Sequence, residues 1–97
     1  MSQPNPPSVT VRHNVAASRF ETEIGGHLAV ADYTLDGEKM IFTHTFVPPE
    51  LRGRGLAEKL VRAGFAEARM QGRRVVPACS YVAAFIERNP EFKELLA

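Results

Sequence analysis

The chain changes hydrophobic period once, near its middle. Before residue 48, apolar side chains recur at every second position in Val9–His13, in Phe20–Ile24 and, less cleanly, in His27–Leu35 through Leu28, Val30 and Tyr33. That period predicts half-buried strands. Lys39–Val47 (KMIFTHTFV) is rich in β-branched and aromatic residues and predicts a fourth strand. Gly25-Gly26 and Asp36-Gly37 separate the last three segments as two-residue hairpin signals. This half of the chain predicts an antiparallel meander of three or four strands.

Pro48-Pro49 stops the fourth strand, and Glu50–Gly55 reads as a glycine-bearing loop. From Leu56 the period becomes helical. Leu56, Leu60, Val61, Phe65 and Ala68 share one side, while Glu58, Lys59, Arg62 and Arg69 lie on the other. Gly72 stands where a helix C′ glycine belongs, and Gly64, unfavourable inside a helix, predicts close packing on a sheet. Arg74–Ala78, centred on Val75-Val76, predicts a fifth strand. Ser80 is the expected cap of a helix over Tyr81–Arg88 that turns Val82, Phe85 and Ile86 inward. Asn89-Pro90 breaks that helix, and Glu91–Leu96 adds one or two turns. The order β-β-β-β-α-β-α predicts an α+β fold with a mixed sheet: an antiparallel meander, a strand–helix–strand crossover and a short C-terminal helix.

Composition narrows the class. At 97 residues the chain predicts a single domain over residues 9–97, and 44% hydrophobic with 24% charged residues is a globular balance. Residues 1–8 (MSQPNPPS) read as a loose polar tail rather than a signal peptide. The net charge of +1 supplies no global field for nucleic acid or a membrane surface, and no apolar run is long enough to span a bilayer. A single cysteine, Cys79, excludes an internal disulfide and fits a reducing compartment, so the expected location is the cytoplasm.

The segment Val47–Ala57 (VPPELRGRGLA) carries the most chemistry. A helix that starts directly after a glycine-bearing loop exposes free N–H groups at the positive end of its dipole, which suits a phosphate or pyrophosphate. Gly53 and Gly55 let the backbone approach an anion, and Arg52 and Arg54 add charge at the rim. A plain strand-to-helix turn would use the same residues, with glycines for geometry and arginines for solubility. No Gly-Lys-Ser/Thr closes the loop, and Gly53–Glu58 lacks the third glycine of the dinucleotide fingerprint.

Arg52-Gly53-Arg54-Gly55-Leu56-Ala57 resembles the (Q/R)-x-x-G-x-(G/A) motif of the GNAT superfamily of acyl-CoA N-acyltransferases. Val47-Pro48-Pro49 before it and the amphipathic helix after it are similar too. Cys79-Ser80-Tyr81-Val82 and Asn89-Pro90-Glu91 resemble the very small single-domain branch of that superfamily. The resemblance covers about residues 9–97. It implies an acetyl-CoA-dependent N-acetyltransferase. The backbone amides from Gly53 through Arg54, Gly55, Leu56 and Ala57 to Glu58 would hold the coenzyme A pyrophosphate. Thr45, Phe46 and Val47, on the edge of the fourth strand, would pair with the pantetheine arm, an arrangement that free strand-edge amides make physically reasonable. One of those amides would polarise the thioester carbonyl.

Many members of the superfamily place a carboxylate general base on the fourth strand. Here Lys39–Val47 contains no acid and offers His44, from the side-chain class that titrates nearest neutral pH. A half-buried histidine bonded to a backbone group is the plainer account. Cys79 is the second candidate: a thiol near a helix start has its pKa lowered. In this branch the cysteine lies where the acetyl group would arrive, either to take it covalently or to line the pocket; an inert buried cysteine is the alternative. Tyr81 falls in the first turn, whereas the superfamily's thiolate-protonating tyrosine sits further along the last helix, so Tyr81 is expected in the core. Asn89 would contact the pantetheine arm or simply form the turn before Pro90. His13 and His27, near strand ends, are expected at the surface, and no metal-ligand spacing occurs.

Two other functions compete with catalysis: a non-catalytic coenzyme A or acyl-CoA binder, and a nucleic-acid binder using Arg52, Arg54, Arg62, Arg69, Arg73 and Arg74. Near-neutral charge and few interleaved aromatics disfavour the second. Short hairpins leave little material for a lid, so the expected acceptor is a protein or peptide amine or a polyamine-sized molecule.

Overall fold

A computed structural model describes residues 9–97; the expected tail at 1–8 lies outside them. Five strands form one sheet in chain order: β1 (Arg12–Asn14), β2 (Arg19–Ile24), β3 (His27–Asp36), β4 (Lys39–Phe46) and β5 (Arg74–Pro77). The first four are antiparallel. β5 returns parallel to β4 after the crossover helix α1 (Leu56–Met70), so the sheet is mixed as the element order predicted. Helix α2 (Ser80–Arg88) and a 3-10 segment, Pro90–Leu95, complete the chain.

Both helices bury their apolar stripes against the same face of the sheet. Phe42 meets Phe65 of α1 edge-on at 5.5 Å, and Phe65 in turn contacts Phe85 of α2 at 5.9 Å and Phe92 at 5.1 Å. All four rings are buried, and such edge-to-face pairs each add about 0.5–1.5 kcal/mol beyond the area they bury. Gly64 lets α1 come this close: a Cβ there would lie 2.7 Å from Phe42 Cε1 and Cζ and 3.2 Å from Phe20 Cε2.

Several boundaries differ from the sequence expectation. β1 is short and starts at Arg12; Val9 and Val11, ahead of the ladder, pack against the core. β1 is held where Arg12, Arg19 and Asn14 converge on the buried carboxylate of Glu21. The guanidinium of Arg12, then that of Arg19, lowers the Glu21 pKa from 4.5 to about 2 against the opposing effect of burial. The cap of α2 is Cys79, not Ser80: Cys79 is extended (φ −82°, ψ 134°) and its carbonyl accepts the Ala83 N–H at 3.0 Å. The last segment winds as 3-10 rather than α. Ala97 N–H then reaches the Val75 carbonyl at 3.0 Å, which covers part of the outer edge of β5.

One irregularity interrupts the ladder between β3 and β4. Tyr33 pairs with Phe42, but Asp32 pairs with His44, so Thr43 is an extra residue in β4. This bulge reverses the side-chain alternation of the rest of the strand. Ahead of it Phe42 points toward the helices; beyond it Thr45, paired with Ala31, has that direction, and His44 and Phe46 point to the opposite face.

Gly64→Ala should destabilise the fold by about 1–3 kcal/mol through overpacking, outweighing the ~1 kcal/mol gain in helix propensity. Urea denaturation checks this, and a raised midpoint would contradict the close packing described.

Candidate functional site

The first part of the site is the turn between β4 and α1. The buried side chain of Leu51, in the 3-10 turn Pro49–Leu51, anchors it. Arg52 Nε donates to the Val47 carbonyl at 3.0 Å and ties the loop back to the strand end. Gly53 (φ 85°) and Gly55 (φ 71°) both occupy left-handed conformations, where a side chain is strained although no atom of the described residues lies within 4 Å of a Cβ at either position. Their role within the chain is thus to set the backbone path.

Gly55 is the N-cap of α1 and has no side chain to satisfy the helix start. The N–H groups of Leu56, Ala57 and Glu58 are left without a side-chain cap, and the first helical bond runs from the Lys59 N–H to the Gly55 carbonyl at 3.2 Å. These positions open onto a cleft of about 240 Å³, lined also by Val47, Leu51, Arg52, Gly53 and Tyr81. Uncapped donors above an apolar floor fit a pyrophosphate joined to a less polar arm. Arg54 is exposed but does not line the cleft.

The second part is the gap between β4 and β5. Their pairing stops at Phe42↔Pro77, and Pro77 has no N–H with which to extend the ladder. Cys79 N–H makes a last bond to the Phe42 carbonyl at 2.8 Å before the chain turns into α2. Among the described residues, β4 from Thr43 onward has no strand partner on that side. Thr45 Oγ1 and Cys79 Sγ face each other across the gap at 3.5 Å. Partial burial pushes the Cys79 thiol up. The Thr45 hydroxyl and the backbone N–H groups of Val82, Tyr81 and Thr45 outweigh it, so the pKa lies below its ordinary value.

The third part lies on the opposite face of the sheet, where His44 is 60% exposed. Its Nδ1 stands 3.3 Å from Asp32 Oδ2. Adjacent strand residues point to opposite faces, so His44 and the Thr45–Cys79 pair flank one strand from its two sides.

Of the other candidates, His27 and Asn89 fit the sequence reading's surface and turn alternatives, whereas Tyr81 and His13 lie elsewhere than expected. Asn89 does not line the cleft; its Nδ2 donates to the Phe85 carbonyl at 2.9 Å and its Oδ1 accepts from Arg62 at 3.5 Å, a role in ending α2. Tyr81 is not core but a half-buried wall of the cleft, its pKa raised by burial and its ring 5.9 Å from the Arg88 guanidinium. His13 is not at the surface: it is half-buried, stacks on Phe20 at 4.2 Å and bonds the Tyr33 hydroxyl at 2.6 Å. His27, 42% exposed, lies 3.7 Å from Glu50. Most of the arginines of the nucleic-acid reading are spent within the chain: Arg52 on Val47, Arg62 on Glu58, Arg69 on Glu94, Arg73 on the Gly37 carbonyl and Arg74 on the Glu94 carbonyl. Among the described residues, no three of His, Cys, Asp or Glu gather as metal ligands, and no helix is long and apolar enough to cross a membrane.

A mixed sheet opened beside an uncapped helix start is the architecture of an acyltransferase of the GNAT type. The family model described as GCN5-related N-acetyl-transferase matches residues 19–95, and the chain belongs to that family. Among curated proteins it is similar to Protein NATD1 of Xenopus tropicalis, 29% identical over 86% of this chain and 79% of that one. Protein NATD1 of Mus musculus is 27% identical over 93% of this chain and 91% of its own. Among solved structures, a GCN5-like protein from Staphylococcus aureus shares the fold with a TM-score of 0.73 at 21% identity, covering 95% of this chain and 91% of the other.

Alkylation of Cys79 by iodoacetamide, followed against pH, should show a midpoint below that of free cysteine. Thr45→Val removes a donor to the thiolate and should move that midpoint upward, slowing reaction at neutral pH. An unchanged midpoint would mean that the hydroxyl does not act on the sulfur.

Proposed function

We propose that this chain is an acetyl-CoA-dependent N-acetyltransferase whose acceptor is a primary amine on a protein, a peptide or a polyamine-sized molecule. The observation that carries this reading is the uncapped start of α1, opening onto a cleft that Val47, at the end of the unpaired β4 edge, also lines. Phosphate donors and a free strand edge therefore adjoin, as a pyrophosphate followed by an amide-bearing arm requires.

Acetyl-CoA supplies an acyl group activated as a thioester. The amides of Gly53–Glu58 would hold its pyrophosphate, and Thr45–Val47 would align its arm, although the Val47 carbonyl already accepts from Arg52. The Thr45 N–H, one of the groups facing the Cys79 sulfur, would donate to the developing oxyanion. Cys79 faces the same gap, positioned either to take the acyl group as a thiolate or to bound its pocket. His44 would remove the amine proton from the opposite face as the new N–C bond forms and the C–S electron pair leaves with sulfur. Exposure of His44 and of Phe46, at 44%, together with two-residue hairpins, supports an open acceptor surface rather than an enclosed one.

Calorimetric titration with acetyl-CoA tests the donor site. Wild type should bind in the micromolar range. Gly55→Trp should abolish binding, whereas Gly55→Ala should cost only ~1–2 kcal/mol of stability at its left-handed position and retain binding. Absence of wild-type binding up to millimolar ligand would overturn the reading. Binding without coenzyme A release in the presence of spermidine or a lysine peptide would favour the binding-module alternative, which the lack of a carboxylate on β4 supports.

A further inference from the structure

Asp32 lies outside every motif in the sequence, yet the fold gives it a definite partner. The bulge at Thr43 brings His44 opposite Asp32; in an unbulged ladder continuing from Tyr33↔Phe42, Asp32 would face residue 43 and His44 would point toward the helices. The single extra residue therefore sets His44 on the same face as Asp32, with Nδ1 and Oδ2 at 3.3 Å.

We propose that Asp32 is the positioning residue for His44, accepting a hydrogen bond from Nδ1–H so that Nε2 keeps its lone pair for the acceptor amine. The inference rests on the acetyltransferase reading above for its function, but not for its geometry. A carboxylate can only accept, so a hydrogen bond at this contact puts the proton of neutral His44 on Nδ1. An isolated imidazole favours the other tautomer, whose Nε2 carries a proton and cannot act as a base. In the transfer, Nε2 takes the proton that the amine nitrogen loses as it bonds the acyl carbon, and the C–S pair departs with sulfur, so charge and protons balance without a further reactant.

The neighbouring charges are arranged to leave Asp32 available. Arg19 of β2 lies directly across from Asp32 on the same face and is the competing partner. Its Nε is taken instead by Glu21 Oε2 at 2.6 Å. With its pKa at about 2, Glu21 stays ionised throughout the range in which an acyltransferase works, and it also holds Arg12. Two residues along β4 on the same face, Phe46 lies nearly parallel to the imidazole, at 7° and 6.4 Å, and offers it no hydrogen bond. Among the described residues, the groups nearest His44 in the sheet are thus a carboxylate at Nδ1 and an aromatic ring beside it, and Nε2 has no hydrogen-bond partner.

The ring ¹⁵N resonances of His44 test this directly, recorded well above the imidazole titration range for wild type, Asp32→Ala and Asp32→Asn. Wild type should show protonated Nδ1 and unprotonated Nε2. Asp32→Ala should shift His44 toward the Nε2–H tautomer. Asp32→Asn, whose amide oxygen still accepts, should keep the wild-type pattern. A wild-type Nε2–H tautomer, or an Asp32→Ala spectrum identical to wild type, would overturn the proposal. The measurement needs neither donor nor acceptor, so its failure is separable from a failure to bind acetyl-CoA. Where spermidine-dependent release of coenzyme A is measurable, Asp32→Ala should lower kcat about tenfold or more with the KM for acetyl-CoA unchanged, and Asp32→Asn should recover most of it. A rise in KM with kcat preserved would contradict a role through His44.

Discussion

The extra residue at Thr43 is the constraint on which the site depends. It inverts the alternation of β4 along its last residues, sending Thr45 toward Cys79 and His44 toward Asp32. Just there β5 stops pairing, because Pro77 lacks an N–H and the chain turns into α2 after the Cys79–Phe42 bond. A bulge on one strand and a proline on its neighbour together produce an unpaired edge inside a sheet. An unpaired edge exposes main-chain groups that sheets otherwise bury, and the proposed function uses them to align an extended, amide-bearing arm.

The rest of the molecule holds that opening in place. α1 is drawn onto the sheet by the absence of a side chain at Gly64, which seats Phe42 under the helix and couples it through Phe65 to Phe85 and Phe92. The same helix presents its uncapped first turn beside the end of β4. On the other face no helix among the described residues shields the sheet at His44, and polar order comes from charges: Glu21 gathers Arg12, Arg19 and Asn14, fastening the short edge strand and keeping Arg19 from Asp32. The packed face thus fixes the gap and the cleft, and the charged face fixes the imidazole.

Much of this architecture was readable from the chain. Gly25-Gly26 and Asp36-Gly37 marked both tight hairpins, the change of period at Leu56 marked α1, and the family resemblance carried on Arg52–Ala57 agreed with the family match. What was missed lay in tertiary relations. KMIFTHTFV reads as one regular strand, since no glycine or proline announces a bulge whose position depends on pairing with β3. Ser80 outranks cysteine by capping preference, yet Cys79 takes the cap because its N–H is already bound to β4. His13 looked like a strand-end surface residue, but a half-buried stack on Phe20 is set by pairing across β1 and β2. Asp32 had no local signal at all: only the register puts a carboxylate next to His44.

The most direct measurement of the central relation, one opening that joins the α1 start to the free edge of β4, is a ¹⁵N–¹H amide spectrum of the protein titrated with coenzyme A. The account predicts that the amides of Gly53–Glu58 and of Thr45–Val47 shift together along one binding curve, with β1 and β2 nearly unaffected. Shifts confined to the loop, or spread over the sheet without Thr45–Val47, would contradict it.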